Sequence, residues 1–189
     1  MTRRLAASLA ALVVVVVAPA CSASGADAPP CGRPGNQWIV AAQTVPSATF
    51  LPCVGELPTG WIISAARFER GSYTAWFDSD RAGTRALELS LTRSCDASGA
   101  VAVPAVDVPP GVRILEKPIS LSPRFEADRY LTFAGGCITQ RYRFTAGAPA
   151  TLALEVQQSL DIVARGVIRR ALQPFGLDLC GAGAAPCPG

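Results

Sequence analysis

Seven cysteines constrain this chain more than any other feature: Cys21, Cys31, Cys53, Cys95, Cys137, Cys180 and Cys187. They are widely spaced and none forms C-x-x-C, which excludes the zinc-ribbon and thioredoxin-type patterns. Their number is odd. With Cys21 set apart, the other six form an even set that can close up to three disulfides in an oxidising compartment. Six cysteines allow fifteen pairings, and spacing alone does not choose among them. Cys31 and Cys187 lie in Pro/Gly-rich ends, and chain ends are often neighbours in space. Cys95 and Cys137 sit beside turns at strand ends, which leaves Cys53 and Cys180. The expected bridges are therefore Cys31–Cys187, Cys95–Cys137 and Cys53–Cys180.

The segment before Cys21 gives that thiol a reason to stand apart. Arg3 and Arg4 form a positive start, Leu5 to Val17 is an apolar run interrupted only by Ser8, and Ala18-Pro19-Ala20 supplies small residues. This order reads as a secretory signal over residues 1–20, with an apolar core shorter than the ~20 residues that span a bilayer. Small residues followed directly by cysteine resemble the lipobox of bacterial lipoproteins. The resemblance covers this leader only. It implies cleavage before Cys21, acylation of its thiol and anchorage to the membrane through that lipid. Position −3 is Ala18 where that family favours Leu, and position −2 is Pro19, so ordinary A-x-A cleavage after Ala20, giving a secreted protein, is the alternative. The small, Pro-rich stretch that follows makes residues 21–36 a lipidated cysteine and flexible tether. Residues 37–180 are expected to form a single domain and 181–189 a C-terminal tail.

Composition narrows the function. Half of the 189 residues are hydrophobic and 16% are charged, enough apolar material for a core. The formal net charge is +3, and setting aside Arg3 and Arg4 leaves about +1, so no general electrostatic attraction to nucleic acid is expected. The chain has no histidine, which removes Ser-His-Asp and Cys-His catalysis and histidine zinc sites.

The body reads as strands, then one helix. "QWIVAAQT" is a short apolar run. "WIISAARFER" and "YTAWF" form a hairpin about Gly71-Ser72. In "ALELSLTRSC", Leu87, Leu89 and Leu91 alternate with Glu88, Ser90 and Thr92, the mark of an antiparallel sheet with one wet face. "VRILEK" is a further strand closed by Pro118. "RYLTFAGGCITQRYRF" is a hairpin turning at Gly135-Gly136, its second arm setting Ile138, Gln140, Tyr142 and Phe144 against Cys137, Thr139, Arg141 and Arg143. From Pro149, Leu152, Val156, Leu160, Val163 and Val167 fall on one helical stripe, ending before Pro174. The predicted fold is α+β: an antiparallel sheet of about five to six strands covered by one long C-terminal helix, stapled by disulfides.

Chemistry-bearing residues are sparse. "DSDRAG" begins like a calcium loop at Asp78 and Asp80, but Ala82 and Leu89 stand where ligands are required. It reads as a polar turn whose acids cap backbone amides and pair with Arg81 or Arg85. The acid pairs Asp78/Asp80 and Glu126/Asp128 each lie two residues apart beside arginines, as solvated charge does. Lys117 with Ser120 and Ser122 lacks the Ser-x-x-Lys order. Arg165 and Arg169 share a helix face, either solvated or open to an anionic partner. Trp38, Trp61 and Trp76 suit packing better than a sugar platform. No catalytic residue, metal or cofactor is expected. Asp78, Asp80, Arg81, Arg85, Arg165 and Arg169 remain as binding candidates. The expected function is that of a non-enzymatic, lipid-tethered module outside the cytoplasmic membrane, binding an envelope protein, a glycan or a small ligand. The alternative is a carboxylate-dependent envelope hydrolase.

Overall fold

A computed structural model describes residues 30–31, 36–104 and 108–187. The leader, Cys21 and most of the tether lie outside the described residues. Among the described residues, no helix is long and apolar enough to cross a membrane.

The framework is an antiparallel sheet of seven strands: β2 (Trp61–Glu69), β3 (Ser72–Ser79), β4 (Gly83–Thr92), β5 (Val101–Ala102), β6 (Arg113–Ser120), β7 (Glu126–Phe133) and β8 (Gly136–Arg143). Their spatial order is β2-β3-β4-β8-β7-β6-β5. After β4 the chain crosses to the far edge, then returns strand by strand until β8 closes against β4. The predicted leucines are buried on one face: Leu87 and Leu91 are fully buried and Leu89 nearly so. Tyr73, Ala75, Phe77, Ile138, Tyr142 and Phe144 share that inner face. Pro118 does not end β6, which runs on to Ser120. There β6 pairs only with β7, so the missing N–H faces an unpaired edge.

The cover consists of short pieces. Helix α1 (Asn36–Thr44) packs on β2 and β3. A two-stranded ribbon of β1 (Phe50–Val54) and β9 (Leu160–Ala164) lies across the sheet, with β1 against β4 and β8. Helices α2 (Thr151–Gln157) and α3 (Arg165–Leu172) flank β9.

The single long helix is thus replaced by helix, strand, helix. Its turns stop at Gln157 because the next residues find partners elsewhere. The Ser159 hydroxyl donates to the Glu56 carbonyl at 2.5 Å, and the Gly55 N–H donates to the Ser159 carbonyl at 2.7 Å. The β-branched Ile162 and Val163 then pair with Pro52 and Leu51 as strand. Val167, placed on the predicted stripe, is exposed, and the buried stripe of α3 is Arg165, Ile168 and Leu172. "QWIVAAQT" is likewise helix: Trp38, Ala41, Ala42 and Val45 are buried at helical spacing. Both hairpins turn one residue earlier than expected, at Arg70-Gly71 and Ala134-Gly135. Gly71 and Gly135 hold the positive φ angles these turns require, at 90° and 73°.

Three disulfides staple the fold, Cys31–Cys53, Cys95–Cys137 and Cys180–Cys187. The central pairing is as expected: Cys137 sits opposite Thr92, so the bridge pins the exit of β4 to the start of β8. The other two expected pairs are wrong, because local closure prevails over proximity of the chain ends. Pro30 bridges Val54 beside β1, which brings Cys31 to Cys53. The C-terminal segment turns at Gly181, whose N–H donates to the Ala185 carbonyl at 2.7 Å, and returns Cys187 to Cys180. It is no free tail, since the Ala182 N–H also donates to the Pro46 carbonyl at 2.8 Å.

Candidate functional site

The inner face is apolar almost throughout, and the exception locates the candidate site. Across β6, β7 and β8 the residues stand in rows. Pro118, Ala127 and Tyr142 form one row; Ile114, Leu131 and Ile138 form another. Between them runs Glu116, Arg129 and Gln140, polar residues in the apolar phase of three adjacent strands. Buried polar groups at such positions are the informative ones.

The row is partly satisfied from within. Arg129 Nη1 donates to Glu116 Oε1 at 2.7 Å. Gln140 is only 5% exposed, and its Oε1 accepts the Tyr142 hydroxyl at 2.8 Å. Burial pushes the Tyr142 phenol well above its ordinary pKa. The other half of the Gln140 amide has no partner among the described residues.

The cover does not close over this row. Two cavities, of about 190 Å³ and about 160 Å³, lie between the sheet and the α2–β9 segment. Phe125, Tyr142, Ala153 and Leu154 wall the first; Leu131, Leu160 and Ile162 wall the second. Arg129 and Gln157 line both, and Gln140 opens into the second. Each alone falls below the ~300–1,000 Å³ usual for small-molecule sites, so an occupant would be small or slender, or would reach from one to the other past Arg129 and Gln157. Gln157, at the end of α2, is half-buried with no side-chain partner among the described residues. The arrangement can hold an apolar body while offering donors from Arg129, Gln140 and Gln157 and an acceptor from Glu116.

The binding candidates read from sequence lie elsewhere. Asp78 accepts the Ser64 hydroxyl at 2.9 Å and the Arg85 N–H at 2.8 Å. Arg81 ties the β3–β4 turn to α2, 2.5 Å from Glu155, with Asp80 at 3.8 Å. Arg85 lies over the Trp76 ring, 5.4 Å from its centroid, on the outer face. There the indole N–H donates to Glu88 at 3.0 Å, and Glu88 also meets Arg141 at 3.0 Å. Glu126 and Asp128 both face Arg143, at 3.9 and 2.7 Å. Trp38 and Trp61 are core. Lys117 donates to the Ser98 carbonyl and Ser120 to the Ser122 carbonyl, so these three do not converge.

Arg165 lies on no solvated face. It is 2% exposed, donating to the Ala42 carbonyl at 2.8 Å and the Cys180 carbonyl at 2.5 Å. Burial, and then Arg169, lower its pKa. Arg169 donates to the Gly183 carbonyl. Asp161 approaches the Cys31 and Cys53 sulfurs, but both are bonded to each other as a disulfide, not free as metal ligands.

Sequence reasoning missed Glu116, Arg129 and Gln140 as a group. A signal was there: Arg129 shares its strand phase with Ala127 and Leu131, and Gln140 with Ile138 and Tyr142. Compared with protein-family models, curated proteins and solved structures, the chain matches none.

Proposed function

We propose that this chain is an exported, lipid-anchored module of the cell envelope that holds a small ligand between its sheet and the α2–β9 cover, without transforming it. The observation that carries the ligand reading is the Gln140 amide, buried and half-unpartnered at the wall of the cavity. The Gln140 NH2 has no partner among the described residues and faces the cavity, so a ligand oxygen there gains a hydrogen-bond donor held in place by the Tyr142–Gln140 bond. The three disulfides support an oxidising compartment outside the cytoplasm. Anchorage rests on the lipobox-like leader and on Cys21, the one cysteine outside the three bridges. No observation favours the hydrolase reading: Asp78, Asp80 and Glu126 face arginines or backbone donors, and the buried Asp128 is held by Arg143 and the Tyr130 hydroxyl.

Two measurements test this. Intact mass of the native protein should show diacylation at Cys21 and six oxidised thiols; an unlipidated chain removes the anchor. Titration with small amphiphiles should give saturable binding that Gln140→Leu weakens; its absence removes the ligand site.

A further inference from the structure

The groove also carries information about the charge of its occupant. We infer that it takes a single-chain amphiphile with an uncharged polyhydroxyl head, of the monoacylglycerol kind. This rests on the reading of the groove as a ligand site.

The polar row is electrically closed. Arg129 and Glu116 stand 2.7 Å apart, one positive and one negative charge side by side. An anionic head approaching the free N–H groups of Arg129 meets the Glu116 carboxylate, and Asp161 lies at the rim of the second cavity. A cationic head approaching Glu116 meets Arg129. Either ion would lose water in a partly buried site and face a like charge, which such surroundings make costly. A hydroxyl-bearing neutral head avoids both penalties. Its oxygens accept from the Gln140 amide, the remaining Arg129 N–H groups and Gln157, and its hydroxyls donate to Glu116. The apolar chain then continues past Arg129 and Gln157 into the pocket walled by Phe125, Tyr142, Ala153 and Leu154, which lacks the Asp161 carboxylate of the second cavity. Leu154 is 63% exposed at its mouth, so the chain can enter from solvent.

The test uses the full chain, exported and oxidised, carrying Cys21→Ala so that no anchor lipid competes. Monooctanoylglycerol, octanoate and octyltrimethylammonium share a chain length and differ in head charge. Titration calorimetry should show one monooctanoylglycerol per chain, bound at least about tenfold tighter than either ion. Gln140→Leu and Gln157→Leu should each weaken it about tenfold. Gln157 is half-buried at a helix end, so its variant reports on binding even where Gln140→Leu disturbs folding. If octanoate or octyltrimethylammonium binds as tightly, the neutral-head assignment falls and the groove stands. If none of the three binds, both fall. If monooctanoylglycerol binds equally to both variants, its site is elsewhere and the inference is overturned.

Discussion

Arg129 and Glu116 meet at 2.7 Å across β7 and β6, on the side of the sheet that carries the core. The pair is only partly buried, the Glu116 side chain 42% and the Arg129 side chain 22% exposed, so its attraction is screened by water and adds little to stability. The neighbouring rows show what the same positions hold when packing alone decides: Ile114 and Leu131 on one side, Ala127 and Tyr142 on the other. The charged row is therefore better explained by what it presents to the groove than by what it adds to stability.

The three disulfides should differ in worth. Cys95–Cys137 closes a separation of 42 residues, Cys31–Cys53 one of 22 and Cys180–Cys187 one of 7. Chain-entropy reasoning gives losses of about 4, 3 and 2 kcal/mol when each is replaced by a serine pair. Urea unfolding of the three double variants should rank them in that order. The Cys95/Cys137 pair should suffer most for a second reason, because it also fixes where β8 meets β4.

Tyr73 is fully buried and its hydroxyl has no partner. Tyr73→Phe should leave stability unchanged or raise it by up to about 1 kcal/mol, since an unsatisfied group is removed. The same burial pushes the phenol pKa up, as it does for Tyr142. Their protons stay on in the folded state above pH ~10, where the unfolded chain releases them, so stability holds below that pH and falls above it. Each tyrosine contributes a slope of at most ~1.4 kcal/mol per pH unit, and denaturant midpoints measured above pH ~10 should show a shallower decline for Tyr73→Phe.

Arg165 acts as an internal tie, not a docking residue. Its guanidinium joins α3 to the Ala42 carbonyl of α1 and to the Cys180 carbonyl. Arg165→Ala leaves both carbonyls without that donor and should cost about 3 kcal/mol, read by thermal unfolding. Val167→Ala, on the exposed side of the same helix, should stay within ~0.5 kcal/mol.

The sheet was largely legible because period two is a local property: Leu87, Leu89 and Leu91 mark their face without help from any other strand. The cover was not. Leu152 to Val167 satisfies a helical period, yet Ser159, Ile162 and Val163 answer to Glu56, Pro52 and Leu51, a hundred residues away. That competition is tertiary and leaves no trace in a helical stripe. The disulfides divide in the same way: Cys95–Cys137 follows from strand ends, whereas Cys31–Cys53 depends on a bridge between Pro30 and Val54. At the site, each polar residue was visible in its own strand. Only the register that sets Glu116, Arg129 and Gln140 side by side makes them a group.

Replacing the polar row by apolar residues of similar size, Glu116→Leu with Arg129→Met and Gln140→Leu, together with Tyr142→Phe so that no buried hydroxyl loses its acceptor, separates a binding role from a structural one most directly. Chemical unfolding of this combined variant should give stability equal to or above the parent, because a partly satisfied network has been exchanged for packing. The same variant should no longer bind monooctanoylglycerol. A loss of about 3 kcal/mol or more would contradict this, making Glu116, Arg129 and Gln140 a device for holding the fold together.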